Sequence, residues 1–472
     1  MTNNKWTVIS AIILIFSFLI GCGSQNNNTN SEKQQPADAV NEATTNTAAN
    51  KNTAGATTEK PKEEVTLRYM IWNKTHAPTY QKMIDAFTAQ NPHIKVDLQV
   101  IPWANFWDKL MTEIAGGTAP DVFWGYLPRV PSFIDKNALL DLTPYIERDG
   151  VDLTKYSSST VAAYQQGGKT YSVPEKWDSL AIYYNQDLLK KAGYDSFPEN
   201  LTWNPTDGGT FVEFLQKMTL DKNGKHPNEE GFDSKNIVQY GFNFIDKDQV
   251  DPGQLIGFAA SNGATMLKDN KLANDEKLLE TYQFLYDLSF KYYVAPTYTD
   301  IRTGGSESKF ISQQVAVWMN GQWMMKPIKE KASFAWGITK IPEGPAGRHV
   351  LVSGMGDVAY AQTKYPEEAW QFIKFLSGKE GQDILASTGA YWPGYTESIP
   401  TFVDHYAQQD IDATPFVEQF NGDTVSSPVA YNYDEWYQVF VKYTSLMLSG
   451  ELGPKETLDL LQKEGDVAAV KK

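Results

Sequence analysis

Apolar and polar positions alternate along the chain in a way that predicts strands followed by amphipathic helices. Residues 65–72 (VTLRYMIW) are rich in strand-forming side chains, and residues 94–101 (IKVDLQVI) alternate apolar and polar positions, so both are predicted strands. Residues 77–92 and 105–117 carry apolar side chains at helical spacing, and residues 120–124 (PDVFW) form a third short strand. Strands that alternate with helices of this length indicate a parallel sheet with right-handed crossovers.

Aromatic residues follow each of these three predicted strands. Trp72 and Asn73 end the first, Pro102 and Trp103 follow the second, and the third leads into residues 124–126 (WGY). Ligands of open α/β sheets bind at the carboxyl ends of the strands. Aromatic side chains at these positions are therefore better candidates for ligand contact than those on helix faces.

Downstream segments repeat the same pattern. Residues 171–173 (YSV) resemble a strand, a loop covers residues 174–179, and a strand over Leu180–Tyr184 leads into a helix. A strand is predicted over residues 316–323, entering a turn at Asn320-Gly321, one amphipathic helix over residues 366–387, and a closing helix over residues 454–470.

The first residues have a different pattern. Residues 8–20 form an apolar segment too short to cross a bilayer as a helix, which takes about 20 residues, so residues 1–21 are predicted to be a signal peptide. The segment ends in Leu-Ile-Gly-Cys22, which resembles a bacterial lipobox and implies lipidation of Cys22. The alternative is a chance cysteine after an ordinary signal or a short membrane anchor. Residues 22–64 are almost free of large apolar side chains, which predicts a disordered linker.

Composition narrows the possible functions. The formal charge of −15 argues against nucleic acid, because phosphate binding requires clustered Lys and Arg. A body of about 400 residues exceeds what one hydrophobic core usually organises, which predicts two lobes. The single cysteine leaves no disulfide framework. Aromatic residues make up 13% of the chain, so position must distinguish ligand contacts from core.

Motifs for catalysis and cofactors are absent from the sequence. There is no nucleophile elbow, phosphate loop, dinucleotide fingerprint or zinc spacing. A hydrolase that uses two carboxylates, for example Glu175 with Asp178, stays open as an alternative. No cofactor is required. Asp221, Asn223 and Glu230 could present oxygens to a structural Ca²⁺ around a Gly224 turn, although a solvated polar hairpin explains the same stretch.

Six stretches together carry a family resemblance, and they lie in the family's order. The chain resembles the family 1 extracellular solute-binding proteins, the sugar-capturing lipoproteins of ABC importers that include maltose-binding protein. The resemblance implies a bilobal α/β fold with two parallel-type sheet lobes joined by three crossing strands. The stretches are GGTAPDVFWGY (116–126), GGKTYSVP (167–174), YYNQDLLKKAG (183–193), VAVWMNGQW (315–323), FAWGITKIPEG (334–344) and EEAWQFIKFLSGKEGQ (367–382).

The same resemblance implies lobe boundaries and ligand contacts. The N-terminal lobe would comprise residues 65–174 and 350–388, and the C-terminal lobe residues 175–349 and 389–472. Aromatic faces would cover the C–H patches of a sugar ring, while carboxylates and amides would bind its hydroxyl rim. The charged residues that follow the third strand in maltose-binding protein have no match after Trp124, so maltose itself is not implied. The implied ligand contacts are Trp72, Asn73, Trp124, Tyr126, Glu175, Trp177, Asp178, Asn320, Trp323, Asp357 and Trp392.

The function implied is that of a receptor and not of an enzyme. Such a protein is a monomer that captures a mono- or oligosaccharide by hinge closure and delivers it to ABC permease subunits. It would be lipid-anchored at the extracytoplasmic face of the cell membrane and would bind no nucleic acid. Two alternatives stay open, a secreted glycoside-processing lipoprotein and a carbohydrate-binding surface adhesin.

Overall fold

The computed structural model describes residues 63–246, 250–420 and 422–470. The predicted signal peptide over residues 1–21, the lipidated Cys22 and nearly all of the predicted linker over residues 22–64 lie outside the described residues. The part described is a mixed α/β protein with two lobes.

Most of the strands belong to one large mixed sheet, in which eleven of the strands that the structure describes are joined. The strands are β1 Val65–Ile71, β2 Ile94–Val100, β3 Val122–Tyr126, β4 Gln165–Gln166, β5 Lys169–Thr170, β6 Pro174–Asn185, β7 Leu220–Asp221, β8 Ile237–Asn243, β9 Leu267–Lys268, β10 Lys271–Leu272, β11 Val315–Gly321, β12 Trp336–Thr339, β13 His349–Ala359, β14 Trp392–Pro393 and β15 Asp423–Ser426.

Helices cover the sheet, and several begin with proline in the first turn, where its missing N–H costs no hydrogen bond. The α-helices are α1 Ala77–Gln90, α2 Trp103–Ala115, α3 Val130–Asp135, α4 Thr143–Asp149, α5 Ser158–Ala163, α6 Gln186–Lys191, α7 Gly209–Lys217, α8 Pro252–Ser261, α9 Glu276–Phe290, α10 Tyr298–Gly304, α11 Ser306–Ile311, α12 Met325–Lys331, α13 Pro366–Ser377, α14 Lys379–Ser387, α15 Ile399–Ala407, α16 Thr414–Phe420, α17 Tyr433–Leu448, α18 Pro454–Leu460 and α19 Asp466–Ala469. Short 3₁₀ turns occupy Leu127–Arg129, Leu153–Lys155, Gln322–Met324 and Thr396–Ser398, and a π-helical turn occupies Leu461–Gly465.

The sheet runs in the order β2-β1-β3-β13-β6-β11-β8-β7. Strands β1, β2 and β3 pair in parallel, as the sequence predicts, and so do β8 and β11. The strands in the middle, β13 and β6, pair antiparallel with each other and with their outer neighbours. The result is a parallel group at each end, joined by an antiparallel centre.

Strands β6 and β13 are long enough to belong to both halves. Residues 174–179 of β6 pair with β13, and residues 180–184 pair with β11. β13 pairs first with β15, then with β6, and finally with β3 through residues 355–359. The short strand β14 adds a third connection by pairing with β6. These strands carry the chain between the lobes and form the floor between them.

Each half has its own hydrophobic core. One core joins β1 and α1 to α13, where Tyr69 meets Phe372 edge-on at 5.1 Å between ring centroids. The other joins β8, α8, α9 and α17, where Trp203 stacks on Phe284 at 4.4 Å. A third cluster, which contains Trp177, lies where β6 meets β11, β12 and α16.

Three predicted elements differ from the structure. Residues 171–173, whose sequence resembles a strand, lie between β5 and β6 and belong to neither. Residues 175–178 were expected in a loop but form the first half of β6, buried on both faces. The single helix predicted over residues 366–387 is two helices, because Gly378 takes an extended conformation (φ −74°, ψ 165°) and ends α13. In the part of the chain that the structure describes, no helix is long and apolar enough to cross a membrane.

Candidate ligand-binding site

A cavity of about 250 Å³ lies between the two halves of the sheet, above β6 and β13. Its volume falls near the lower end of ligand pockets, which hold roughly 300–1,000 Å³. Its wall combines aromatic, carboxylate, amide and hydroxyl side chains. The lining residues are Trp72, Asn73, Trp103, Ala104, Tyr126, Asp178, Leu180, Asp246, Asp251, Gly253, Gln254, Trp323, Leu351, Ser353, Met355, Tyr391 and Tyr437.

One side of the cavity is an aromatic wall built at the ends of three parallel strands. Trp72 follows β1, Trp103 opens α2 after β2, and Tyr126 ends β3. All three are half-buried, and Trp103 meets both Trp72 and Tyr126 edge-on, at 5.1 and 5.5 Å between ring centroids. Strands in parallel register end at one edge of a sheet, which brings these three rings together. The wall offers flat apolar faces to a ligand.

The opposite wall carries Trp323, in the 3₁₀ turn that follows β11. Its ring lies so close to Gly321 that a Cβ placed there would stand 2.0 Å from the ring. Gln322, the residue between them, donates from Nε2 to Asp178 Oδ1 (2.7 Å) and to the Trp177 carbonyl (2.8 Å). The turn is thus fastened to β6, which fixes the position of Trp323 over the cavity.

The polar groups of the cavity are held by neutral donors from the strands and turns around them. Asn320 donates from Nδ2 to Asp246 Oδ1 (3.0 Å). Asp251 Oδ1 accepts from the Gly253 amide (2.7 Å) and so caps α8. Asn73 donates from Nδ2 to the Tyr391 hydroxyl (2.8 Å).

A buried charged network supports the floor from behind. The Tyr80 hydroxyl donates to Glu175 Oε1 (2.6 Å), and Lys176 Nζ donates to that hydroxyl (2.7 Å) and pairs with Glu175. Lys176 Nζ also lies 3.8 Å from the centre of the Trp124 ring, a cation–π contact. Trp124 in turn meets Trp72 edge-on at 4.6 Å. The network thereby sets the position of the aromatic wall.

Asp357 belongs to the same buried region. Its Oδ1 accepts from the Tyr69 hydroxyl at 2.7 Å. Burial raises the pKa of Asp357 well above its usual range, the charge of Glu175 raises it further, and Lys176 opposes the shift. Lys176 is therefore the counter-charge of Glu175, and burial beside that pair disfavours the ionised form of Asp357.

A charged clamp joins the two halves beside the cavity. Arg129, which follows β3, pairs with Asp434 on α17, and its guanidinium lies 4.3 Å from the centre of the Trp107 ring. The Tyr433 and Tyr437 rings lie 5.7 Å from the same guanidinium. Because Tyr437 also lines the cavity, the clamp and the cavity share a wall.

The structure brings five of the eleven predicted contacts together in the cavity, namely Trp72, Asn73, Tyr126, Asp178 and Trp323. The other six, Trp124, Glu175, Trp177, Asn320, Asp357 and Trp392, are almost fully buried and lie outside its lining.

The physical reason for this difference is their position in β3, β6, β11, β13 and β14, not in loops. Trp177 stacks on Phe420 at 4.1 Å and packs against Trp392 at 4.8 Å, so both indoles belong to a core. Glu175 and Asp357 belong to the network behind the floor, and Trp124 lies between Lys176 and Trp72. Asn320 acts through the bond that orients Asp246.

Several lining residues were not among the sequence-based candidates. The stretch after β8, which leads through Asp251 into α8, ends a strand in the same way as Trp72 does and could have been found from that rule. Ser353 pairs with Asp178 across β13 and β6 and lies on the same strand as the candidate Asp357. Tyr437 stands in the middle of α17, where no local signal distinguishes it from a core residue.

The candidate Ca²⁺ segment, which contains Asp221, Asn223 and Glu230, forms a tight turn around the Asp221 carboxylate. Asp221 accepts hydrogen bonds from the backbone amides of Asn223, Lys225 and Asp233, each at 2.8 Å. Burial raises the pKa of Asp221, but these amides lower it more, to about 2. Within residues 63–246, 250–420 and 422–470, no group of three or more His, Cys, Asp or Glu is placed to hold a metal ion.

The fold and the cavity define a two-lobed ligand-binding protein. The chain belongs to the bacterial extracellular solute-binding protein family, which it matches over residues 73–383. It is 25% identical over 341 residues to the arabinooligosaccharide-binding protein of Bacillus subtilis, covering 69% of this chain and 73% of that one.

Two further comparisons agree with this assignment. The chain is 26% identical over 316 residues to the maltooligosaccharide ABC transporter solute-binding lipoprotein of Streptococcus pneumoniae, covering 65% of this chain and 67% of that one. The structure of an ABC substrate-binding protein of Listeria monocytogenes in complex with cycloalternan superposes with a TM-score of 0.75 at 22% identity, covering 86% of this chain and 99% of that one. At that identity the likeness shows the fold.

Proposed function

We propose that this protein is the receptor of a carbohydrate importer and that it captures a mono- or oligosaccharide in the cavity between its lobes. The observation that carries the proposal is the pairing of half-buried aromatic faces, Trp72, Trp103, Tyr126 and Trp323, with the carboxylate of Asp178. A sugar ring has an apolar C–H face and a rim of hydroxyls, and this cavity complements both. The relatives named for arabino- and maltooligosaccharides support the same class of ligand.

Binding proceeds by closure of the lobes about β6, β13 and β14. The aromatic wall stands at the ends of β1 to β3, while Trp323 and Asp251 stand on the other side, so only a closed form lets one ligand touch both. A ligand shifts such an equilibrium by binding the closed form more tightly. The chain binds its ligand without making or breaking a covalent bond.

The protein works at the extracytoplasmic face of the cell membrane, attached through lipidated Cys22, and hands its ligand to ABC permease subunits as a monomer. The lipobox-like end of the apolar segment and the lipoprotein among the relatives support this placement. Two or more acyl chains are needed for stable anchoring, which a lipoprotein modification supplies.

Thermal unfolding of the purified full chain against a broad saccharide panel tests the proposal. A ligand present at 100 times its dissociation constant is expected to add about 2.7 kcal/mol of stability. The saccharide that gives the largest shift is then titrated against Trp323→Ala and Trp72→Ala. Each is expected to lose tenfold or more in affinity, about 1.4 kcal/mol, because a stacking face is removed.

Tyr431→Ala is the matched control, since Tyr431 is an exposed aromatic residue outside the cavity lining. Its affinity is expected to equal that of the unchanged protein. Failure of every saccharide to raise the unfolding temperature would contradict the proposal. Release of new reducing ends from any bound oligosaccharide would favour a glycoside-processing enzyme instead.

A further inference from the structure

The wall of the cavity has an acidic character. Asp178, Asp246 and Asp251 all contribute to the lining, and among the described lining residues no Lys, Arg or His accompanies them. Asp178 belongs to β6, Asp246 follows β8, and Asp251 is the N-cap of α8, the next helix along the chain, so the carboxylates come from two parts of the fold.

Unpartnered polar atoms accompany these carboxylates. Gln254 and Ser353 line the cavity and are only 5% and 2% exposed, yet Gln254 Oε1 and Ser353 Oγ have no hydrogen-bond partner in the protein. Ser353 stands opposite Asp178 on the neighbouring strand. A buried acceptor without a partner costs about 1–3 kcal/mol, which a donor from a bound ligand would recover. This observation is independent of the charges and points to a ligand that carries hydroxyl groups, because Gln254 Oε1 requires a donor while the Ser353 hydroxyl both donates and accepts.

The charged groups just outside the lining do not reverse this character. Lys176 is paired with Glu175, and Arg129 with Asp434. Arg129 also feels the charge of Asp251, and Lys326 acts on His76, so these three cations are outnumbered by Glu175, Asp434 and the three carboxylates of the lining. Burial lowers the pKa of His76, behind the loop that carries Trp72, to about 3, so the ring is neutral near pH 7. The carboxylates of the lining therefore set the sign of the charge that a ligand meets.

We propose that the cavity selects saccharides without negative charge, and that Asp246 and Asp251 supply the discrimination against sugar acids and phosphorylated sugars. This inference rests on the proposed function and names its substrate class more closely. The acceptor-rich wall receives hydroxyl or ammonium donors. An anionic ligand would bring a further acceptor against the carboxylates of the lining, where Coulomb repulsion is only partly screened.

The test uses three derivatives of one oligosaccharide, the neutral saccharide that binds best in the panel. Its reducing end is converted to the alditol, to the aldonic acid or to the 1-amino alditol, which differ mainly in charge. Calorimetric titration of the full chain at pH 7 is expected to show the acid binding at least tenfold more weakly than the alditol, and the amine at least as tightly. An acid that binds within threefold of the alditol overturns the inference.

Two variants assign the discrimination to residues. Asp246→Asn and Asp251→Asn keep the size of the side chain, and asparagine also caps a helix well. In each, the ratio of the acid to the alditol dissociation constant is expected to fall at least threefold. A purely structural role would weaken both ligands equally and leave that ratio unchanged, which would overturn the assignment. Asp404→Asn, an exposed residue of α15 outside the lining, serves as the control and should keep the original ratio.

The two proposals fail in different ways. If sugar acids or sugar phosphates bind and neutral saccharides do not, the charge selection is wrong while the carbohydrate receptor stands. If no saccharide of any charge binds, the proposed function itself falls and takes the charge selection with it.

Discussion

At the scale of single residues, His76 is a buried ionisable group whose effect on the free energy of unfolding depends on pH. It precedes α1, is fully buried, and its ring lies 4.5 Å from that of Tyr391, which lines the cavity. Burial is the main cause that lowers the pKa of His76, the charges of Lys326 and Lys176 lower it as well, the Trp323 backbone opposes them, and together they bring it to about 3. The folded protein therefore holds this ring neutral in a pH range where the unfolded chain protonates it.

The stability of the protein is accordingly expected to fall with acid through this residue. The unfolded pKa of histidine is about 6.5, so the contribution is fully present above pH 6.5 and is lost as the pH falls toward 3. The slope is about 1.4 kcal/mol per pH unit for one group. Urea unfolding of the unchanged protein and of His76→Gln at pH 7, 6, 5 and 4 measures it. As the pH falls, the free energy of unfolding of the unchanged protein should drop relative to that of His76→Gln by about that slope. If the two free energies of unfolding change with pH in parallel, the expectation is contradicted.

At the scale of elements, β6 combines the roles of sheet strand, lobe connection and cavity floor. Its Glu175–Lys176 pair is fully buried, and removal of one partner of such a pair costs about 3–5 kcal/mol. The two partners are not equivalent. Lys176 is the only cation of the network, whereas Asp357 lies close enough for its pKa to respond to both Glu175 and Lys176.

Lys176→Met is therefore expected to destabilise the protein by about 3–5 kcal/mol, because the Glu175 charge loses its partner. Glu175→Gln is expected to cost less, since Asp357 can ionise and become the counter-charge of Lys176. Chemical unfolding of both variants gives the comparison. Lys379→Met, which breaks an exposed pair with Asp383, is the control and should change stability by less than about 1 kcal/mol. Equal losses for the two β6 variants would refute the role given to Asp357.

The same strand shows what could be read from the sequence and what could not. β1, β2 and β3 follow local apolar patterns, so their strands and the positions of Trp72 and Tyr126 were predictable. The stretch Glu-Lys-Trp-Asp in β6 has no such apolar pattern. Its charges are satisfied by Tyr80 and by each other, inside a network that distant segments assemble and that no local pattern reveals. The local polarity therefore predicts a loop, with Glu175 and Trp177 as ligand contacts, whereas both side chains are buried in β6 outside the cavity lining.

At the scale of the whole molecule, the clamp between Arg129 and Asp434 connects the halves that β6 and β13 join from below. Arg129 is 5% exposed, and the rings of Trp107, Tyr433 and Tyr437 surround its guanidinium. A buried cation that loses its partner inside a core destabilises the fold. Here the Arg129 guanidinium lies between the two lobes, which strands join, and it can return to water if the lobes separate. The cost of breaking this pair should thus appear as opening and not as unfolding.

Asp434→Asn is expected to shift the ligand-free protein toward the open form and to weaken ligand binding several-fold, because apparent affinity falls with the fraction of closed molecules. Small-angle scattering should give a larger radius of gyration without ligand, which returns to the original value when ligand saturates the protein. The free energy of unfolding of the open form should change little. Glu435→Gln, an exposed neighbour on the same helix, is the control and should alter neither quantity. If Asp434→Asn lowers stability while scattering and affinity stay unchanged, the pair belongs to the fold alone, and closure depends on the ligand contacts of Trp72 and Trp323 without help from the clamp.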